Sequence, residues 1–206
     1  MIDNYNSLTI KKYLDIKEVL EMNIEEIDKQ VSLIAILSDM DENDVYNLPL
    51  PEFQELNKKT EFLNELPQTR NYPKTKYKLG GLELETVLDM RDVTAGQYID
   101  YQTFVKDTDK YLVELLSVFL VPKGKKYNDG YDILEVQNAI RENLSIVEAI
   151  SMSAFFLMLC ESLIKATVQS SIKKLKRMMR KEKDKKVKAE YQKAITALEQ
   201  SGAGLR

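Results

Sequence analysis

The chain has 206 residues, 44% hydrophobic and 31% charged, enough for one substantial core or one core with an appendage. It contains no His and no Trp, which removes the commonest general base, the Ser/His and Cys/His nucleophile pairs and the commonest metal ligand. The net charge of −3 conceals a division: residues 1–172 carry 18 Lys and Arg against 29 Asp and Glu, and residues 173–206 carry 12 against 4. An acidic body is followed by a basic arm.

In chain order, residues 7–22 predict a first helix, with Ser7 as its cap and an apolar stripe through Leu8, Ile10, Tyr13, Leu14, Ile16 and Leu20. A second helix starts at Asn23 with Glu26 completing a capping box, and Ile24, Ile27, Val31, Ile34 and Leu37 give it a core face. The two are expected to pack antiparallel. The acidic stretch Asp39–Asp44 begins like a calcium loop but has Asp44 where Gly is required and Leu50 where the bidentate Glu belongs. It reads instead as a turn capping a short helix at Glu42–Asn47. Pro51 opens a helix running to about Leu66, and Pro67–Pro73 reads as a linker.

The segment from Lys76 to Glu85 alternates on both sides of Gly80-Gly81 and predicts a β-hairpin. Its register pairs Lys76 with Glu85 and Lys78 with Glu83 on one face, Tyr77 with Leu84 and Leu79 with Leu82 on the other. Thr94 then caps a helix through Gln97, Ile99 and Phe104, and a helix over Thr108–Val121 is stopped by Pro122. A turn-rich loop, Pro122–Tyr131, precedes a helix capped by Asp132 and Glu135, and Ser145 with Glu148 caps the last element.

That last element, Ser145–Gln200, has neither Pro nor Gly and reads as one long helix, apolar first and basic later. The expected fold is mainly α: a helical bundle with one small β-hairpin at about 75–86 and a long C-terminal helix. The expected division is an acidic body over 1–168 and a projecting basic amphipathic arm over 169–206, with burial falling away at Ser170-Ser171.

The single Cys160 cannot form an internal disulfide and lies in an apolar run, as a small buried hydrophobe does. Met1–Asn6 has no signal-peptide pattern, and the longest uncharged apolar run, Ala149–Cys160, is shorter than the roughly 20 residues that span a bilayer. Gly124-Lys125-Lys126 looks like the end of a P-loop but has Phe119 where its first Gly belongs and Tyr127 where Ser or Thr belongs. The carboxylate pairs Glu25/Glu26, Asp41/Glu42 and Glu83/Glu85 fall on expected solvent faces. No catalytic, cofactor or metal residue is assigned, and an enzyme is not expected.

Partner binding is assigned to the arm, at Lys173, Lys174, Lys176, Arg177, Arg180 and Lys181, with Leu175 and Met179 on its apolar stripe. Such a basic amphipathic helix suits an acidic protein groove or coiled-coil packing first and nucleic acid second. A membrane surface comes last, because the stripe carries no bulky aromatics to sink into lipid. Tyr98, Tyr101, Tyr127 and Tyr131 form a second candidate surface, or else fill seams between helices.

Four segments carry a family resemblance: Leu8-Thr9-Ile10-Lys11-Lys12-Tyr13-Leu14, Leu33-Ile34-Ala35-Ile36-Leu37-Ser38, Leu48-Pro49-Leu50-Pro51-Glu52-Phe53 and Thr94-Ala95-Gly96-Gln97-Tyr98-Ile99-Asp100. Over roughly residues 8–165 the chain resembles tail-assembly chaperones and related morphogenesis proteins of tailed bacteriophages. The resemblance implies a non-enzymatic protein of the host cytoplasm or the virion. Its partners would be tail, tape-measure or neck components or a second copy of itself, and no functional residue transfers. The alternative is a nucleic-acid-binding accessory protein using the basic arm.

Overall fold

The structure is a computed structural model and describes residues 1–69 and 72–203. Among these the chain is mainly helical, with one small antiparallel sheet and a long C-terminal helix. It divides into two compact units, Met1–Phe155 and Phe156–Arg206. The division falls inside a helix and earlier than the expected boundary at 168/169.

The first unit opens with α1 (Ile10–Glu21) and α2 (Glu26–Ser38), packed on each other. The α1 cap is Thr9, whose hydroxyl accepts from the Lys12 amide; Ser7 lies outside the helix. The selection comes from tertiary structure, because the residues around Thr9 bridge antiparallel to those around Ser145. Asn23 is likewise not a cap: α2 starts three residues later, leaving Ile24 and Ile27 exposed at 41% and 48%. Asp39 ends α2 in the left-handed region (φ 55°), and Asp41 caps α3 (Glu42–Tyr46) through the Asn43 amide. Asp and Asn tolerate such positions better than other side chains with a Cβ.

α4 (Leu50–Lys58) is shorter than expected and is followed by a 3-10 turn at Glu61–Asn64. Phe53 and Leu56 pack on a small core of Val31, Ile34, Ala35 and Val45, and Phe62 meets Tyr5 edge to face. Leu66, where the expected helix ended, is 89% exposed. The expected linker 67–73 lies partly outside the described residues.

β1 (Lys76–Leu79) and β2 (Leu82–Thr86) form the hairpin in the expected register. Gly80 and Gly81 both have positive φ, 54° and 87°, as a two-residue turn of this twist requires. A Cβ on Gly80 would lie 3.2 Å from the Asn143 amide nitrogen and 3.6 Å from the Ala139 methyl, so the turn is seated on the helix carrying those residues. A third strand, β3 (Leu120–Pro122), was expected as the end of a helix. It pairs with β2, Thr86 against Leu120 and Glu85 against Val121.

Between the strands lie α5 (Ala95–Phe104) and α6 (Leu112–Phe119). Thr94 and Gln97 form a complete capping box, and the Gln97 amide nitrogen also donates to the Val118 carbonyl at 2.8 Å. α6 starts later and ends earlier than the expected Thr108–Val121 because a 3-10 turn precedes it and β3 follows it directly. α7 (Ile133–Asn143), capped by Asp132, packs on α1, α6 and the sheet. Fully buried Leu8, Ile10, Ile34, Leu37, Leu84, Leu115, Leu116, Phe119, Leu120, Ile140 and Leu144 form the core of this unit. A cluster of this kind, gathered from helices and sheet together, is what makes the marginal hairpin stable.

α8 (Ile146–Lys181) starts at Ser145, whose hydroxyl accepts from the Glu148 amide, and α9 (Lys185–Ala203) follows. The single helix expected over Ser145–Gln200 is therefore two. Glu182 accepts from the amides of Lys183 and Asp184, and Asp184 accepts from Lys186 at 2.7 Å. These carboxylates satisfy the open amides of a new helix start and break the old helix without Gly or Pro. Among the described side chains of α8, Cys160 is the last that is fully buried, before the expected Ser170-Ser171. When two charges are allowed, α8 contains an 18-residue window of mean hydropathy 1.7, long and apolar enough to cross a membrane, of which 47% is buried. Core helices have the same length and composition.

Candidate binding surfaces

In the second unit, α8 and α9 fold back on each other. Lys176 and Glu199 are 23 residues apart, a separation of about 35 Å along one straight helix, yet their side chains form an ion pair at 3.1 Å. Leu175 and Met179 are half-buried, on a stripe with Val168 and Ile172; on α9 the matching stripe is Val187, Tyr191, Ile195 and Leu198. Ile195 is completely buried. Measured from the turn at Glu182–Asp184, the two stripes have the same 3–4 spacing, as a helical hairpin needs.

Lys173, Lys174, Lys176, Arg177, Arg180 and Lys181 are all exposed. Together with Lys183, Lys185, Lys186 and Lys188 they surround the turn, and among the described residues only Lys176 has a carboxylate partner. The nearby acids offset them only in part: Glu182 feels the charge of Lys188. Glu182 is held below the usual carboxylate range by the amides of Asp184 and Lys183, and Asp184 caps α9. In the first unit pairing is more frequent: Lys11, Lys12, Lys17, Lys59, Lys74, Lys76, Arg91 and Lys123, about half of its described Lys and Arg, each lie within 4.0 Å of a carboxylate. The bend of the hairpin is a positive surface, with ten Lys and Arg over 173–188 against Glu182 and Asp184.

The four tyrosines do not form one surface. Tyr101 is 4% exposed and meets Phe119 edge to face at 5.8 Å, so it is a core residue and leaves the candidate set. Tyr127 is half-buried and donates to Asp100 at 2.8 Å; burial first, then this hydrogen bond, push its phenol well above the ordinary range. Tyr131 is also half-buried and accepts from the Asn128 amide within its own loop. Tyr98 alone is exposed, at 37%.

Tyr127 borders a cleft of about 490 Å³ between the β2–β3 edge and the start of α5, lined also by Asp92, Thr94, Gln97, Lys125 and Lys126. Gly124, with φ 75°, leads into a turn in which Lys125 donates to the Pro122 carbonyl; the next helix begins only at Ile133. A P-loop needs a helix start directly behind the lysine, so the likeness ends there.

The carboxylate pairs are separated in role. Glu83 is lowered by the Lys123 ammonium 2.7 Å away, Glu85 faces Lys76, Asp41 caps α3 and Glu42 accepts from Ser32. No cluster of three or more metal-ligating side chains occurs among the described residues, and Cys160 is buried without a disulfide.

A feature that the sequence reading placed in the core is a second surface: the corner between α1 and α2. Leu20, Met22, Ile24 and Ile27 are each 40% exposed or more, among Glu18, Glu21, Glu25, Glu26 and Asp28. The signal in the sequence is the density of acids around isoleucines that were assigned to a buried stripe. No protein-family model matches the chain, and no curated protein or solved structure is similar enough to count as a relative.

Proposed function

We propose that the chain is a non-enzymatic assembly protein of tailed-bacteriophage tail morphogenesis, acting through protein–protein contacts as an assembly chaperone or an incorporated tail or neck component. The observation behind it is the helical hairpin over 156–203, with its apolar stripes turned to helix packing and a positive surface at its bend. A surface of that kind is completed by an acidic partner. The phage assignment rests on the resemblance of residues 8–165. The experiment is crosslinking of the tagged full chain during infection. Crosslinks from Lys173–Lys188 to tail, tape-measure or neck proteins support the proposal, and their absence overturns it. Stoichiometric recovery of the chain in purified virions decides between component and chaperone.

The same unpaired lysines and arginines support a second reading, as a nucleic-acid-binding accessory protein. Neutralising several phosphates makes affinity fall steeply with salt. A titration against random duplex DNA and single-stranded RNA at rising salt tests it, and no binding at low salt overturns it.

A further inference from the structure

The corner between α1 and α2 has an unusual composition for a helix connection. Residues 18–28 carry five acids and no Lys or Arg, and the side chains between them are Val19, Leu20, Met22, Asn23, Ile24 and Ile27. Four of these are large apolar groups exposed at 40–49%. The corner is held in shape from below: the Met22 amide closes α1 onto the Glu18 and Val19 carbonyls, and the Lys29 ammonium donates to the Leu20 carbonyl. Tyr46, 57% exposed, borders it through a hydrogen bond to Asp28. Exposed apolar groups close in the chain, with a rim that is acidic but for Lys29 and next to an exposed tyrosine, have the anatomy of a docking surface.

The complementary object is in the same chain. The hairpin bend, residues 173–188, carries ten Lys and Arg against Glu182 and Asp184. It presents Met178 at 42% exposure beside half-buried Leu175 and Met179. Acidic rim meets basic rim, and apolar centre meets apolar centre.

We infer that the acidic corner at Leu20–Ile27 docks the basic hairpin bend of a second copy of this chain, giving a head-to-tail contact. Such a contact uses two different surfaces, so each added copy leaves one corner and one bend open. It builds a ring or a filament, or a reciprocal pair where two copies exchange both contacts. Charge pairing sets its direction, since corner against corner and bend against bend both repel. The inference rests on reading the hairpin as a protein-binding element and adds the identity of one partner.

The test uses two charge-reversed full-length variants. Glu18→Lys with Glu21→Lys takes residues 18–28 from a net charge of −5 to −1, and Lys185→Glu with Lys186→Glu takes residues 173–188 from +8 to +4. The first pair lies in the last turn of α1 and the second in the first turn of α9. Both reversals therefore agree with the helix dipoles and leave the fold intact, which circular dichroism checks. Sedimentation of the natural chain should show mass rising above 23.8 kDa with concentration at low salt and returning to it in high salt. Each variant alone should self-associate at least about tenfold more weakly than the natural chain. An equimolar mixture of the two should associate again, because the natural bend of the first variant meets the natural corner of the second.

A natural chain that stays at 23.8 kDa at every concentration and salt overturns the inference. A mixture that stays monomeric overturns it too, as does a variant that self-associates unchanged. Crosslinks from the bend to tail proteins in a chain that never self-associates would remove this inference and leave the proposed function standing.

Discussion

Thr9 and Ser145 face each other across an antiparallel bridge, with the Ile10 amide donating to Leu144 at 3.0 Å and the Ile146 amide donating to Leu8 at 2.8 Å. Each residue is also a helix cap, Thr9 for α1 and Ser145 for α8. Two helix starts far apart in the chain therefore share one hydrogen-bonded seam, flanked by buried Leu8, Ile10, Leu144 and Ile146.

Thr9→Ala and Ser145→Ala should each cost about 1 kcal/mol, lowering the melting temperature by about 2–4 °C. Because the caps are direct neighbours, the double variant should depart from the sum of the singles by more than about 0.5 kcal/mol. Urea unfolding of the four proteins measures the coupling.

Gln97 is 2% exposed and serves both the Thr94 capping box and the Val118 carbonyl. Gln97→Leu removes all three hydrogen bonds and leaves the Val118 oxygen without that donor. The expected loss is about 1–3 kcal/mol, read from the urea midpoint. Gln97→Glu keeps the cap acceptor but loses the donor, so it should also destabilise at neutral pH and recover partly as acid protonates it.

Leu84 and Leu66 test burial against identity. Leu84→Ala, at a site with 0% exposure in the sheet's apolar face, should cost about 2–5 kcal/mol. Leu66→Ala, at 89% exposure, should change stability by less than about 0.5 kcal/mol.

Two groups should titrate abnormally. The Arg91 guanidinium holds Asp89 down to about 2. A depressed carboxylate favours the folded chain above the ordinary Asp range, and that preference is lost as pH falls through about 2. Carbon-detected NMR should place the Asp89 midpoint there and move it part of the way back up in Arg91→Ala, where the residue-91 amide still donates to the carboxylate. Tyr127 runs the other way: its raised phenol stays neutral in the folded chain while the unfolded chain ionises near pH 10. Its contribution is whole below pH 10 and is lost as pH rises beyond it. In Tyr127→Phe, the last-titrating component of the 295 nm absorbance should disappear.

The hairpin register was legible in the sequence because charge and apolarity demand the same pairing; a one-residue slip would expose Tyr77, Leu79 and Leu84 together. β3 was hidden because Leu120 and Val121 continue the apolar run of α6, and only the open edge of β2 turns them into a strand. The break after Lys181 was hidden because it is made by carboxylates that also occur inside helices. Among the candidate binding residues, charge predicted exposure of the basic side chains, and the 3–4 spacing put Leu175 and Met179 on one apolar stripe, which the fold half-buries. Sequence spacing does not tell Tyr101 from Tyr98. They sit three residues apart on α5, and only the position of Phe119, supplied by another helix, sends one inside.

β3 follows α6 without a connecting loop, and its partner β2 is separated from it by all of α5 and α6. β1 and β2, by contrast, are joined by two residues. The sheet therefore has a local half, available as soon as Gly80-Gly81 turns, and a remote half that waits for a long loop to close. Substitutions at Tyr77 or Leu79 should act mainly on how fast the chain folds. Substitutions at Val121 should act mainly on how fast it unfolds, so the seam between β2 and β3 is where its lifetime is set.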